Sequence, residues 1–388
     1  MSESEEWFED YAQEDDEYDI DEYDITATPN DFNVLTLFSF IESGAVKIPG
    51  FQRNYVWDRV RASRLIESLI MGIPVPQLFL YEQSRNKFLV IDGQQRLMTI
   101  YYFIKRRFPL RERRVDLRSI FDKNGRIPEE ILADDSYFED FKLKLSHRLP
   151  NLKNKYNGLN YATLADYRTQ FDLRPIRNIV VKQNAPSDDD SSVYEVFNRL
   201  NTGGVNLRPQ EIRTSMYHSP FYDMLYRINQ DSRWRVLLQD PEPDIHMKDI
   251  EVLLRGFAML IEGDNYAPSL VRFLNKFSRK CETHTDLQNS YLEKLFLSFV
   301  SACKKLPDDI FINERNKRFN IALFEAVFSA ACRNAFSEKR SLTGQLRRDE
   351  VQALSVDKKF MDAAFEGTTR TANVSTRLTR ARALISAL

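Results

Sequence analysis

Apolar positions repeat with two different periods along this chain, and the change of period divides it. Val34, Leu35, Leu37, Phe38 and Ile41 fall at helical spacing, with Asp31 placed to cap that helix and Gly44 to stop it near Ser43. An extended segment over residues 46–56 follows. Val60, Leu65, Ile66, Leu69 and Ile70 then form the stripe of a second helix, broken by Gly72, Pro74 and Pro76. Residues 77–82 and 87–91 are rich in β-branched and aromatic side chains and predict two strands around a Ser84-Arg85-Asn86 hairpin turn. Asp92-Gly93-Gln94-Gln95 leads directly into a helix expected over 96–107.

Residues 108–165 are irregular and polar, punctuated by Gly125, Pro150 and Gly158, and suggest an insertion rather than a domain. A further strand is expected over 176–182. The run Ser187-Asp188-Asp189-Asp190-Ser191-Ser192 is a loop and N-cap for a helix through Asn198. Asn201-Thr202-Gly203-Gly204 is a glycine turn, and Pro209 opens another helix. Beyond Ser219 only helical periodicity remains, as in Ile250, Leu253, Leu254, Phe257, Ala258 and Ile261. The expected class is α+β: a mixed α/β domain over 31–217, then an all-helical domain over 218–388.

With 388 residues, including 27 Phe and 17 Tyr, the chain is long enough for two cores and too aromatic for a disordered protein. No apolar run approaches the roughly 18 residues of a membrane span. Three distant cysteines, Cys281, Cys303 and Cys332, fit free thiols in a reducing compartment. These features together predict a soluble, cytoplasmic protein.

Charge changes the picture at the N-terminus. The net charge of −2 conceals thirteen acidic groups within residues 1–24; the rest of the chain sets 55 basic against 44 acidic groups, or +11. Residues 1–30 are therefore expected to be a disordered acidic tail. Two roles stay open for it: a solvated tail, or an internal polyanion covering a basic surface.

Walker, dinucleotide-fold, HExxH and CxxC signatures are all absent. His147, His218, His246 and His284 are scattered and fit surface or packing positions. Three arginine-bearing motifs stand out instead. In Val90-Ile91-Asp92-Gly93-Gln94-Gln95-Arg96 a strand ends, a glycine turns the chain and a helix begins, so backbone N–H groups and Arg96 can meet an anion. Asp92 can hold a divalent metal or orient Arg96. In Phe51-Gln52-Arg53-Asn54-Tyr55-Val56-Trp57, Arg53 sits among Tyr55, Trp57 and Phe51, which can floor a pocket for a base. In Glu195-Val196-Phe197-Asn198-Arg199-Leu200-Asn201-Thr202-Gly203, Glu195 and Arg199 either pair along a helix or grip a metal and a phosphate beside the glycine turn. Turn chemistry, an aromatic strand and a helical ion pair would account for each motif alone; jointly they suggest a phosphate site. Lys105, Arg106, Arg107, Arg111, Arg113, Arg114 and Arg118 form a basic cluster, and Arg370, Arg377, Arg380 and Arg382 load the last segment. Both are read as solvated faces or as contacts for nucleic-acid phosphates, Arg106, Arg107, Arg113 and Arg114 in particular.

FQRNYVW, LIESLIMGIPVPQLFLYE, VIDGQQRLMTI and FNRLNTGGVNLRPQEIR closely resemble the N-terminal domain of GmrSD-type restriction proteins over about residues 32–217. The likeness continues more weakly through Met247-Lys248-Asp249-Ile250-Glu251-Val252-Leu253-Leu254-Arg255. It implies a ParB/sulfiredoxin-like fold and nucleoside-triphosphate binding and hydrolysis in a prokaryotic anti-phage system. By that resemblance Asp92, Gln95 and Arg96 are catalytic. Arg53, Tyr55, Trp57, Gly93, Gln94, Asn198, Arg199, Asn201, Thr202 and Gly203 join Gln95 and Arg96 in holding nucleotide, and Mg²⁺ sits at Asp92 or Glu195. No HNH motif is present, so a separate nuclease or effector subunit would do any cutting. Redox chemistry of the sulfiredoxin kind is excluded, because no cysteine lies in residues 92–96. A DNA-binding protein or nuclease of ParB type, and a non-catalytic scaffold, are the alternatives; DNA and further copies of the chain remain open as partners.

Overall fold

Five strands make one mixed sheet: β1 (Asp24–Asn33), β2 (Val46–Lys47), β3 (Leu78–Ser84), β4 (Lys87–Asp92) and β5 (Pro175–Ala185). The computed structural model describes residues 7–9, 24–48, 55–114, 116–117, 120, 127–146, 154–185, 192–200, 208–244, 246–365, 367–386 and 388, and only the backbone of Glu9, Tyr194, Glu195, Asn198 and Ser215. The chain divides into one unit of residues 21–207 and another of residues 1–20 with 208–388. The expected α+β organisation is present: the sheet lies in the first unit, and the second is built from helices.

Strand order in the sheet is β1-β5-β3-β4-β2. β5 is antiparallel to β1 and parallel to β3, while β4 is antiparallel to β3 and parallel to β2. The β3–β4 hairpin turns at Arg85-Asn86, where Asn86 takes a left-handed φ of 60°. Helices α1 (Val34–Glu42), α2 (Arg59–Met71) and α3 (Gln94–Lys105) bury apolar stripes that include Leu37, Ile66 and Ile100 in a core shared with Leu80 and Val90 of the sheet. Segment 108–165, expected to be polar and irregular, adds Phe108, Phe138, Phe141, Tyr156, Tyr161 and Leu164 to that same core. Its short elements include a strand pair, Arg107–Pro109 with Phe138–Asp140.

The expected acidic tail is corrected at both of its described stretches. Residues 24–33 pair along their length with β5, because Ile25, Thr26, Thr28 and Phe32 favour a strand once a partner edge is present. Pro29 is tolerated because β1 lies at the edge of the sheet. Asp31 therefore does not cap α1; it pairs with Arg177 at 2.8 Å, and Asn33 Oδ1 accepts from Thr36 N at 2.7 Å instead. Phe8–Glu9 runs parallel to Phe319–Asn320 in the helical unit, with Phe8 buried and the Lys248 ammonium 4.8 Å from its ring centroid. Residues 10–23 lie outside the described residues.

Helix α4 (Ser192–Leu200) completes the sheet unit, and the helical unit opens with α5 (Pro209–Met216) and α6 (Pro220–Asn229). After a short helix, Ser232–Leu238, come α7 (Lys248–Glu262), α8 (Leu270–Cys281), α9 (Asp286–Ala302) and α10 (Ile321–Ser337), followed by shorter helices and Thr371–Leu384. Pro209 stands at the first turn of α5 as expected. Trp234, Phe257, Phe296, Phe324 and Phe328 form the aromatic centre. Cys281, Cys303 and Cys332 are free and buried, and burial pushes their thiols up.

Helix α7 also carries charge into this interior. Lys248, Asp249, Glu251 and Arg255 are all buried. Glu251 accepts from Lys248 at 2.7 Å and lies 3.7 Å from Arg213 and 3.8 Å from Arg255, which also pairs with Glu325. Asp249 accepts from Arg235 at 2.8 Å and from Asn229 at 2.6 Å. Buried carboxylates of this kind persist only with such partners.

Candidate functional site

β4 ends at Asp92 and α3 begins at Gln94, so Gly93 alone makes the junction. Its φ is 103°, and a Cβ there would lie 2.2 Å from Leu78 Cδ2 and 3.1 Å from Arg96 Nη2. Both the conformation and the space demand glycine. No side chain caps α3, which leaves the positive end of the helix facing the junction. Arg96 folds back over it: Nη2 donates to Asp92 Oδ2 at 3.0 Å and to the Gln77 carbonyl at 3.1 Å. Arg96 Nε is buried and has no hydrogen-bond partner among the described residues. An unpaired buried donor costs about 1–3 kcal/mol.

The aromatic segment is tied to the same helix. Val56 N donates to Gln95 Oε1 at 2.9 Å, and the Tyr55 hydroxyl lies 2.9 Å from Thr99 Oγ1. Tyr55 packs edge-on against Tyr102 and Phe108, and burial pushes its phenol well above the usual range. Trp57 is half-buried beneath the Arg61 guanidinium, 4.8 Å from its centroid. Helix α4 (Ser192–Leu200) packs against β4, the strand that ends in Asp92. Its first turn is anchored where Ser192 N donates to Gln183 Oε1 at 3.1 Å, and Val193 and Phe197 are fully buried.

Residues 34–218 match the family described as the GmrSD restriction endonuclease, N-terminal domain. This segment is a GmrSD-type N-terminal domain. An uncharacterized protein of Methanocaldococcus jannaschii is 23% identical, over 48% of this chain and 41% of its own length. The present chain thus spans well under half of that relative. The match and the physical units have different edges: the GmrSD-type segment runs on through α5, which sits in the helical unit with Arg213 Nε donating to Asn275 Oδ1 at 2.9 Å.

Within the GmrSD-type domain, the structure joins the DGQQR motif to Tyr55 and Val56 and sets α4 beside the strand leading into it. Gln94 is buried, and Arg199 is exposed on α4. Arg53, Asn201, Thr202 and Gly203 lie outside the described residues, as do the side chains of Glu195 and Asn198. Among the described residues no three or more His, Cys, Asp or Glu side chains are grouped so that they could hold a metal ion. None of the described helices is long and apolar enough to cross a membrane.

Much of the basic cluster is paired within the fold. Lys105 pairs with Glu42 at 2.9 Å and Glu129 at 2.7 Å, Arg107 with Asp135 at 2.8 Å, and Arg113 with Asp116 at 3.2 Å. Arg114 donates to the Tyr55 carbonyl at 2.9 Å and stands over the Tyr55 ring at 5.2 Å. Acidic residues dispersed through segment 108–165 neutralise a run that looks basic in one dimension, and of the four arginines singled out only Arg106 and Arg113 are exposed. Near the C-terminus, Arg377 donates to the Ala363 and Thr368 carbonyls, and Arg380 and Arg382 pair with Asp357 and Asp264. Gln77, Thr99 and Arg114 were not legible as parts of the site. Gln77 contributes a main-chain carbonyl that any residue has, Thr99 resembles any helix position, and Arg114 reaches Tyr55 from 59 residues away.

Proposed function

We propose that the β4–α3 junction binds the phosphates of a nucleoside triphosphate, and that hydrolysis there switches a prokaryotic restriction or anti-phage response. The observation that carries this reading is Arg96: its guanidinium is fixed by Asp92 and Gln77 beside an uncapped helix start, with Nε still unpartnered. Preorganised donors of this kind act on charge that grows during phosphoryl transfer, without reorganising at the moment of reaction. Gly93 lets the backbone approach the anion, and Gln95 secures the Tyr55–Trp57 segment against α3. Asp92, whose carboxylate is half-exposed, would hold Mg²⁺ arriving with the triphosphate. Such an ion would neutralise phosphate charge; Glu195 is the second carboxylate for that role. Likeness to a restriction-endonuclease domain family supports a restriction setting, with DNA or a separate nuclease as the partner that responds.

The test is Arg96→Ala assayed for phosphate release, with circular dichroism to establish that the fold survives. Turnover should disappear while the spectrum is retained. Undiminished turnover in the folded variant would overturn the assignment.

A further inference from the structure

On one face of the sheet an open groove of about 320 Å³ runs across β1, β5, β3 and β4, away from the β4–α3 junction in its lining. That volume is at the lower end of ligand pockets, roughly 300–1,000 Å³, and suits one planar group. Pairing places the lining in a row. Thr26 lies opposite Lys182, and Glu82 opposite Phe88. Val181 stands beside Tyr81 where β5 and β3 run parallel, which brings Lys182 next to Glu82 one residue on. Neighbouring strands are about 4.8 Å apart. Yet Lys182 and Glu82 form no ion pair with each other, and neither side chain has a partner among the described residues. Phe88 stacks on Phe40 at 6.0 Å, and Phe32 meets Phe40 edge-on at 5.4 Å, so an aromatic wall closes one side. At the other side Asn184 Nδ2 donates to Thr26 Oγ1 at 2.6 Å.

A carboxylate and an ammonium held side by side but unpaired call for a flat ligand that offers two adjacent donors next to an acceptor. Among nucleobases, guanine has that edge: N1–H and the N2 amine suit Glu82, and O6 suits Lys182. Cytosine and adenine place a ring acceptor where the carboxylate would stand, and thymine has a single N–H between two carbonyls. The lining carries one cation, Lys182, too little charge for a free di- or triphosphate, and the groove is open rather than enclosed. We propose that this groove holds one unpaired guanine base of a nucleic-acid strand, its edge read by Glu82 and Lys182 and its face against Phe88. The inference rests on the nucleic-acid side of the functional reading, not on turnover at Arg96.

The experiment is fluorescence anisotropy with short labelled oligothymidylates carrying a central thymine, guanine or hypoxanthine, the last lacking the N2 amine. The guanine strand should bind about tenfold more tightly than the thymine strand, within the range one well-made base contact supplies, and hypoxanthine should fall between. Glu82→Ala should erase the difference between guanine and hypoxanthine, and Lys182→Ala should reduce the overall preference. Arg96→Ala should leave the preference intact. Equal binding of all three strands, or a preference that survives Glu82→Ala, would overturn the guanine assignment while leaving nucleic-acid binding in place. Failure to bind any strand would overturn both.

Discussion

Replacing Gly93 with alanine tests the architecture of the junction more directly than any change to a charged group. The residue sits at a φ of 103°, a conformation that costs a residue with a Cβ about 1–3 kcal/mol. The new methyl would also lie 2.2 Å from Leu78 Cδ2. Leu78 is fully buried in the sheet–helix core, so it cannot swing into solvent, and forced repacking of that kind typically costs about 1–3 kcal/mol. The two effects together predict a loss of about 2–6 kcal/mol. For a unit of this size each kcal/mol moves the melting point by roughly 2–4 °C. The third neighbour is Arg96 Nη2 at 3.1 Å, so displacement would also disturb the contacts to Asp92 and Gln77. Gly72→Ala serves as the comparison. It too has a left-handed φ, of 77°, but its Cβ would meet the guanidinium end of Arg174, which is half-buried and can move. Urea unfolding and phosphate release should therefore show a large loss for Gly93→Ala and a smaller, stability-only loss for Gly72→Ala. If Gly93→Ala unfolds within about 0.5 kcal/mol of the native chain, the geometry assigned to the junction is wrong.

Two further expectations concern the helical unit. Glu251→Gln removes the carboxylate shared by Lys248, Arg213 and Arg255 while keeping its volume; leaving buried cations uncompensated should cost about 3–5 kcal/mol in urea unfolding, and a loss below 1 kcal/mol would show that the network is not coupled. Burial holds the His284 imidazole below its ordinary range, so the unfolded chain takes up the proton first as pH falls. Stability from this group is full above the unfolded value near 6.5 and is lost as pH drops toward the depressed folded value; His284→Gln should flatten the urea midpoint between roughly pH 7 and 5, and an unchanged profile would remove the histidine from the account.

Helical stripes such as Leu65, Ile66, Leu69 and Ile70, the Asp92-Gly93 junction and the all-helical character beyond Ser219 follow from local order. Period, turn chemistry and a glycine between strand and helix act over a few residues, so one dimension suffices to read them. The motifs that mark the GmrSD-type domain are equally local. What the chain does with its charges is not. Residues 24–33 belong to an acidic stretch by composition, yet become an edge strand because β5, some 150 positions later, offers its hydrogen bonds. Arg107, Arg113 and Arg114 read along the chain as one basic run, and folding sets Asp135, Asp116 and the Tyr55 carbonyl against them. The same holds for Glu82 and Lys182, a hundred residues apart, whose adjacency exists only in the sheet. Coulombic and hydrogen-bond partners are chosen by distance in space, and that distance is set by strand pairing and core packing rather than by position along the chain.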